Sequence, residues 1–338
     1  MPHFASECFA VMNDSLQKLG PESKGAGSPR GPAIELNNIL APVDFSPASQ
    51  RGLAFAAGVA ARFHSQLYLF YVVEPPTLPQ WGYAHLAIKE AKLRRAAEER
   101  LSQLPVECDI EPGLTHPTKV GTGRADWEIC RFAAEGNVDL IVLASHGLGG
   151  LKHAFIGSTA ERVVRHAPCP VLTVRDRALE EDQTAKPSFA PKRILVTTDF
   201  SEASKKAFSY AAAFARKFEA ALTLLYVVPT HIAPSISQIG IVLEEKRLLA
   251  AAREQLPRFR EAELDPHLHV ETLVLDGGPA HEICTTAEKQ NFDLIVISTH
   301  GYTALKRFAV GSVTENVVRH APCPVLVVRE REHEFIKG

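Results

Sequence analysis

The chain is poor in cysteine, with six in 338 residues. That density excludes a small, disulfide-stapled secreted scaffold. Excess charge of either sign is also missing: 37 Lys and Arg stand against 39 Asp and Glu, for a net charge of -2 and a pI near 6.7. No basic field is therefore expected to hold a nucleic acid backbone. No apolar run reaches the roughly 18 residues that cross a bilayer. The opening stretch "MPHFASECFAVMNDSLQKLG" lacks a basic start followed by an apolar core, so no secretory signal is predicted. These absences point to a cytoplasmic protein with reduced thiols and with neither nucleic acid nor membrane as partner. The 46% of hydrophobic residues is ordinary for globular domains.

What is present, twice, is "VVRHAPCPVL": Val163 to Leu172, and again Val317 to Leu326, 154 residues later. The repeat extends upstream. Asp139-Leu140-Ile141-Val142 lies over Asp293-Leu294-Ile295-Val296, and Glu128-Ile129-Cys130 over Glu282-Ile283-Cys284. "ILAPVDFSPAS" from Ile39 answers "ILVTTDFSEAS" from Ile194. A repeat this long means tandem globular domains, not a solenoid. The boundaries read as a flexible extension over 1–33, rich in Gly, Pro and Ser toward its end, or alternatively a short helix around Phe9 to Leu19; domain 1 over 34–176; a linker over 177–191; and domain 2 over 192–331.

Each copy alternates short β-rich apolar runs with helical apolar periods. Such alternation predicts two doubly wound α/β domains, each a five-stranded parallel sheet with helices on both faces. Ser46 with Pro47 reads as an N-cap followed by proline at the first helical position. The third strand of copy one is expected around Val106 to Leu114, and that of copy two at "VETLVLD". In the verbatim repeat, Pro168 and Pro322 stop a helix, and Pro170 and Pro324 open the last strand. His-x-x-Cys within it has no second ligand pair at metal-binding spacing.

Open α/β sheets bind ligands beyond the carboxyl ends of their strands, where the winding reverses. Asp44 and Asp199 close the first strand of each copy. After the fourth strand, each copy has a glycine, nine residues, then Gly-Ser at a helix start: Gly147…Gly157-Ser158 and Gly301…Gly311-Ser312. Glycine lets backbone N–H groups approach a phosphate, and the helix start adds free donors. The same residues have a plainer reading, since Ser158/Glu161 and Ser312/Glu315 spell a capping box. The loop is neither a Walker A sequence nor a GxGxxG turn. Lys152 and Lys306 lie within it as loop cations, and His146 and His300 sit beside its first glycine at the strand end.

With "VDFSPAS", "TDFSEAS" and the two Gly-x9-Gly-Ser loops in order, both copies resemble the universal stress protein family. The resemblance covers roughly residues 35–175 and 190–330. The family's nucleotide-binding members carry G-x2-G-x9-G-[ST]. Gly147 and Gly301 match its second glycine, and Gly157-Ser158 and Gly311-Ser312 its end, while Ala144 and Ser298 replace its first glycine. The resemblance implies that Asp44 and Asp199 lie near ribose, and that Val43, Val72, Thr198 and Val227 line adenine. It implies that Thr314 supplies a phosphate-side hydroxyl where copy one has Ala160. The implied ligand is ATP with Mg2+, bound by a stress-response sensor or scaffold with no dedicated catalytic residue. A nucleotide-free interaction module and a slow nucleotide hydrolase are the other readings. The resemblance further implies that the last strands of the two copies pair as a pseudo-twofold dimer within one chain, with a homodimer as a further step.

Overall fold

The computed structural model describes residues 33–74, 83–145, 157–175, 189–229, 239–263, 268–299, 311–330 and 332–337. Domain 1 runs β2 (Asn38–Pro42), α1 (Pro47–Phe63), β3 (Gln66–Val73), α2 (Tyr83–Glu107), β4 (Lys119–Thr122), α3 (Ala125–Glu135), β5 (Leu140–Ala144), α4 (Ser158–His166) and β6 (Val171–Val174). Domain 2 repeats the order: β7 (Arg193–Thr197), α5 (Glu202–Phe218), β8 (Ala221–Pro229), α6 (Ile239–Glu263), β9 (Val270–Gly277), α7 (Pro279–Lys289), β10 (Leu294–Ser298), α8 (Ser312–His320) and β11 (Val325–Val328). Two short strands, β1 (Ala33–Ile34) and β12 (Ile336–Lys337), pair antiparallel with each other.

The sequence starts the helices where expected. Ser46 and Ser201 cap α1 and α5, each accepting from the amide three residues on, and Pro47 takes the first helical position. Both helices end on a non-glycine residue in the left-handed region, His64 (φ 57) and Glu219 (φ 51). That conformation costs an L-residue about 1–2 kcal/mol. Exposed Glu219 gains little in return, so Glu219→Gly is expected to raise stability by about 1 kcal/mol. Thermal denaturation of the variant checks this, and an unchanged or lowered Tm would count against the helix end described.

The ten strands form one sheet in the order β4-β3-β2-β5-β6-β11-β10-β7-β8-β9. Within each domain the pairs are parallel, and the joint between domains, β6 to β11, is antiparallel, with Leu172 opposite Leu326. Two apolar layers run across both domains. One lies under α1, α2, α5 and α6, and the other under α3, α4, α7 and α8. Strand residues alternate between them, with Ile39 and Ala41 in the first layer and Leu40 in the second, as a sheet covered on both faces requires.

The joint explains the verbatim repeat. Arg329 Nη1 donates to the Ala167 carbonyl of the other domain, and Arg175 Nη1 donates to the Ala321 carbonyl, the same contact reversed. The shared segment thus serves as both halves of a pseudo-twofold interface. Both carbonyls follow a helix end set by the Ala-Pro stop. Aromatic rings close the joint on the first face. Phe189, 4% exposed, packs edge-on against Phe55, Phe214 and Phe218.

One expected element moves. The third strand of domain 1 is Lys119–Thr122 and not Val106 to Leu114. α2 runs through Pro105 to Glu107, and the chain then turns through left-handed Asp109 and Gly113. Leu114 meets the sheet with its carbonyl alone, accepting from Leu67. Apolar content misplaced the strand because Ile110 serves the core from a turn. The counterpart in domain 2, β9 at Val270–Gly277, lies where "VETLVLD" predicts it.

Candidate functional site

In domain 1, β2 leads to β3 on one side and the chain returns through β5 on the other, so the winding reverses between β2 and β5. In domain 2 the same reversal falls between β7 and β10. Val43, Asp44, Val72 and Ala144 stand at the carboxyl ends of β2, β3 and β5, and Thr198, Asp199, Val227 and Ser298 at those of β7, β8 and β10. Gly147 and Gly301, with Lys152, Lys306, His146 and His300, lie outside the described residues.

Backbone hydrogen bonds extend the sheet one residue into each site. Val43 N–H donates to the Phe70 carbonyl and Thr198 N–H to the Leu225 carbonyl. The aspartates that follow turn the chain. Asp44 Oδ1 accepts from Ser46 N–H at 3.0 Å. Asp199 Oδ1 accepts from Ser201 N–H at 3.2 Å and from Ser201 Oγ at 2.6 Å. Between aspartate and serine, Phe45 (φ 61) and Phe200 (φ 65) sit in the left-handed region. A bulky residue there is strained, by about 1–3 kcal/mol, and such strain concentrates at functional sites. The rings hold it in place: Phe45 lies 4.6 Å from Tyr71, and Phe200 4.8 Å from Tyr226. Sequence reasoning passed over these phenylalanines, although the repeated "DFS" marks them.

The Gly-Ser loop end is built alike in both domains. Gly157 N–H donates to the Ser145 carbonyl and Gly311 N–H to the Thr299 carbonyl, each at 2.7 Å. These bonds close the neck of the loop. The capping-box reading fails in a specific way. The N-caps are Gly157 and Gly311, with no side-chain cap bond, and Ser158 and Ser312 are the first helical residues. Glu161 and Glu315 lie one position too deep for the box and pair with Arg165 and Arg319 one turn on. Ser158 and Ser312 are exposed at the helix starts, where backbone donors gather. Thr314 is turned the other way: it is 3% exposed and its hydroxyl donates to the Ser298 carbonyl at 2.7 Å, fastening α8 to the end of β10. A Cβ on Gly311 would stand 3.3 Å from the Thr299 carbonyl oxygen.

The two sites differ in charge. In domain 1, Glu74 follows β3 and accepts from Ala125 N–H at the start of α3. Burial, with Asp44 and then Glu74 nearby, pushes the Tyr71 hydroxyl above its ordinary range. Domain 2 has Pro229 at the end of the corresponding strand, and its Thr198 hydroxyl is engaged by Phe200 N–H and Ser204 Oγ, both at 3.0 Å. No group of three or more metal-ligating side chains is placed to hold a metal among the described residues, and no helix among them is long and apolar enough to cross a membrane.

The fold and these paired strand-end sites define a tandem of doubly wound α/β domains fused through their last strands. The sequence profile of the universal stress protein family matches residues 35–175 and 191–329. A universal stress protein of Methanocaldococcus jannaschii is 35% identical over 144 residues, 42% of this chain and 85% of that protein. One of Mycolicibacterium smegmatis is 28% identical over 300 residues, 87% of this chain and 97% of that protein. Among solved structures, a universal stress protein from Archaeoglobus fulgidus superposes with a TM-score of 0.60 at 21% identity, over 89% of this chain and 99% of that one. The chain belongs to the universal stress protein family, with two family domains in tandem.

Proposed function

We propose that this universal stress protein binds adenine nucleotide, ATP with Mg2+, at the carboxyl strand ends of one or both domains, and acts as a sensor or scaffold in the stress response. The observation that carries the reading is the start of α8. A glycine whose Cβ would press on the Thr299 carbonyl stands directly before an exposed serine at the first helical position. Such a start offers backbone N–H groups, a hydroxyl and the positive helix end to an anion. The strained Asp-Phe-Ser turns that follow the first strand of each domain support it. In this reading Asp199 and Asp44 face ribose. Thr198, Val227, Val43 and Val72 border the base. Ser312 and Ser158 meet phosphate beside the loops that contain Gly301 and Gly147. Thr314 positions α8 from within. Mg2+ would accompany the phosphates and offset their charge.

Domain 2 suits a triphosphate better, because Glu74 adds a carboxylate just beyond β3 in domain 1, where domain 2 has Pro229. Denaturing freshly purified protein and separating the supernatant by ion-pair chromatography with mass detection tests the proposal. About one nucleotide per chain is expected. An empty protein that also fails to take up added Mg-ATP at millimolar concentration would sink it and leave the interaction module.

A further inference from the structure

Beyond β11 the chain crosses back over the joint. His333 N–H donates to the Pro168 carbonyl of domain 1, and His333 Nε2–H donates to Asp139 Oδ1 at 2.7 Å. The other oxygen of Asp139 accepts from Asn37 and Asn38 N–H at the start of β2. Phe335 is 1% exposed, set edge-on 4.6 Å from Tyr210 of α5. Its carbonyl accepts from Glu35 N–H, and β12 then pairs with β1. Residues 332–337 thus touch the base of domain 1 and α5 of domain 2, whose first turn follows Asp199.

One side chain in this segment is out of place. The Glu332 side chain has no exposed surface, and neither carboxylate oxygen meets a donor in hydrogen-bond geometry among the described residues. Lys206 Nζ stands 3.6 Å away and sits closer to Glu334, at 2.9 Å. A buried carboxylate without donors is costly when ionised and tolerable when protonated. We propose that residues 332–337 form a proton-operated strap, which clasps the two domains while the Glu332 carboxyl is protonated and loosens when it ionises.

Charged and titratable neighbours fall on both sides of the balance. Lys206 on α5 and Arg329 after β11 favour the carboxylate, Tyr210 on α5 and Cys169 before β6 face Glu332 without favouring it, and Glu334 on the strap competes for Lys206. Burial outweighs the two cations and pushes Glu332 up to about 8, from an ordinary 4.5. A docked value above the free one makes the clasp strongest below pH 4.5. Between 4.5 and 8 the clasp weakens about tenfold per pH unit, and above 8 this contribution is lost. His333 reaches Asp139 from the same segment, so its proton must be separated from that of Glu332.

Amide hydrogen exchange on the full chain makes the separation. The readout is protection of Glu35 and Phe335, corrected for intrinsic exchange and referenced to Val142 in β5. Protection is expected to fall about tenfold per pH unit from pH 5 to 8, and Glu332→Gln to flatten the profile. A flat wild-type profile would overturn the proposal, and it decides even if the variant fails to dock. A slope that persists in Glu332→Gln and vanishes in His333→Gln would also overturn it, assigning the proton to the bond with Asp139.

Discussion

Leu326→Glu is expected to cost about 4 kcal/mol or more and to lower Tm by roughly 10 °C. Leu326 is 1% exposed and faces Leu172 at 2% in the middle of the antiparallel joint. Val59, Leu140, Phe189, Phe214 and Leu294 surround the pair, and none offers a partner to a carboxylate. The burden falls on the joint more than on either domain, because each half keeps its own parallel strands. Calorimetry should therefore show the unfolding of the variant split or broadened relative to the native chain, with the two domains melting separately. Leu326→Met, which conserves volume, should stay within about 1.5 kcal/mol of the native protein. An unchanged Tm for the glutamate variant would mean that β6 and β11 are not paired in solution.

The second large effect concerns binding. Gly311→Val is expected to weaken Mg-ATP binding in domain 2 by roughly a hundredfold, about 3 kcal/mol, while leaving the fold intact. Gly311 has φ -62 and ψ 145, ordinary extended backbone that valine adopts readily. Space is the constraint: its Cβ already meets the Thr299 carbonyl oxygen at 3.3 Å. Relief of that contact would shift the neck of the loop and the first turn of α8, where the phosphates are proposed to lie. Titration calorimetry on the purified variant, beside Gly157→Val for domain 1, apportions binding between the halves. Undiminished affinity in both variants would remove the loop ends from the site.

Much of the fold was legible because two periodic signals agree across the repeat. The alternation of β and α patterns, the cap at Ser46, and the Ala-Pro stops all follow from local chemistry. Local chemistry settles them within a few residues of chain. The third strand of domain 1 escaped because "VECDIEPGL" is apolar enough to suggest a strand, while α2 simply continues through Pro105. Of the candidate site, the aspartates and Gly-Ser pairs were visible by position. The orientation of Thr314 was not, since a buried hydroxyl bonded to a strand end and an exposed one aimed at phosphate read the same in a string of letters. The repeated "DFS" marks the phenylalanines, but their strained φ was not legible, because it is set by the turn that Asp44 and Asp199 hold.

By itself, then, the sequence determined the two-domain organisation, the doubly wound class, the family, and which strand ends carry the candidate residues. Each of these rests on patterns repeated within a short stretch of chain. The pairing of the last strands, β6 with β11, was expected from the family resemblance and is found, but only the tertiary structure decided that Arg175 and Arg329 exchange contacts across the joint and that Phe189 leaves its linker for the core. It alone placed the C-terminal segment back on domain 1, with Glu332 sealed against α5. These features join residues far apart in the chain, 194 positions in the case of His333 and Asp139. No local period encodes them: they arise when burial and backbone pairing select one arrangement of the whole.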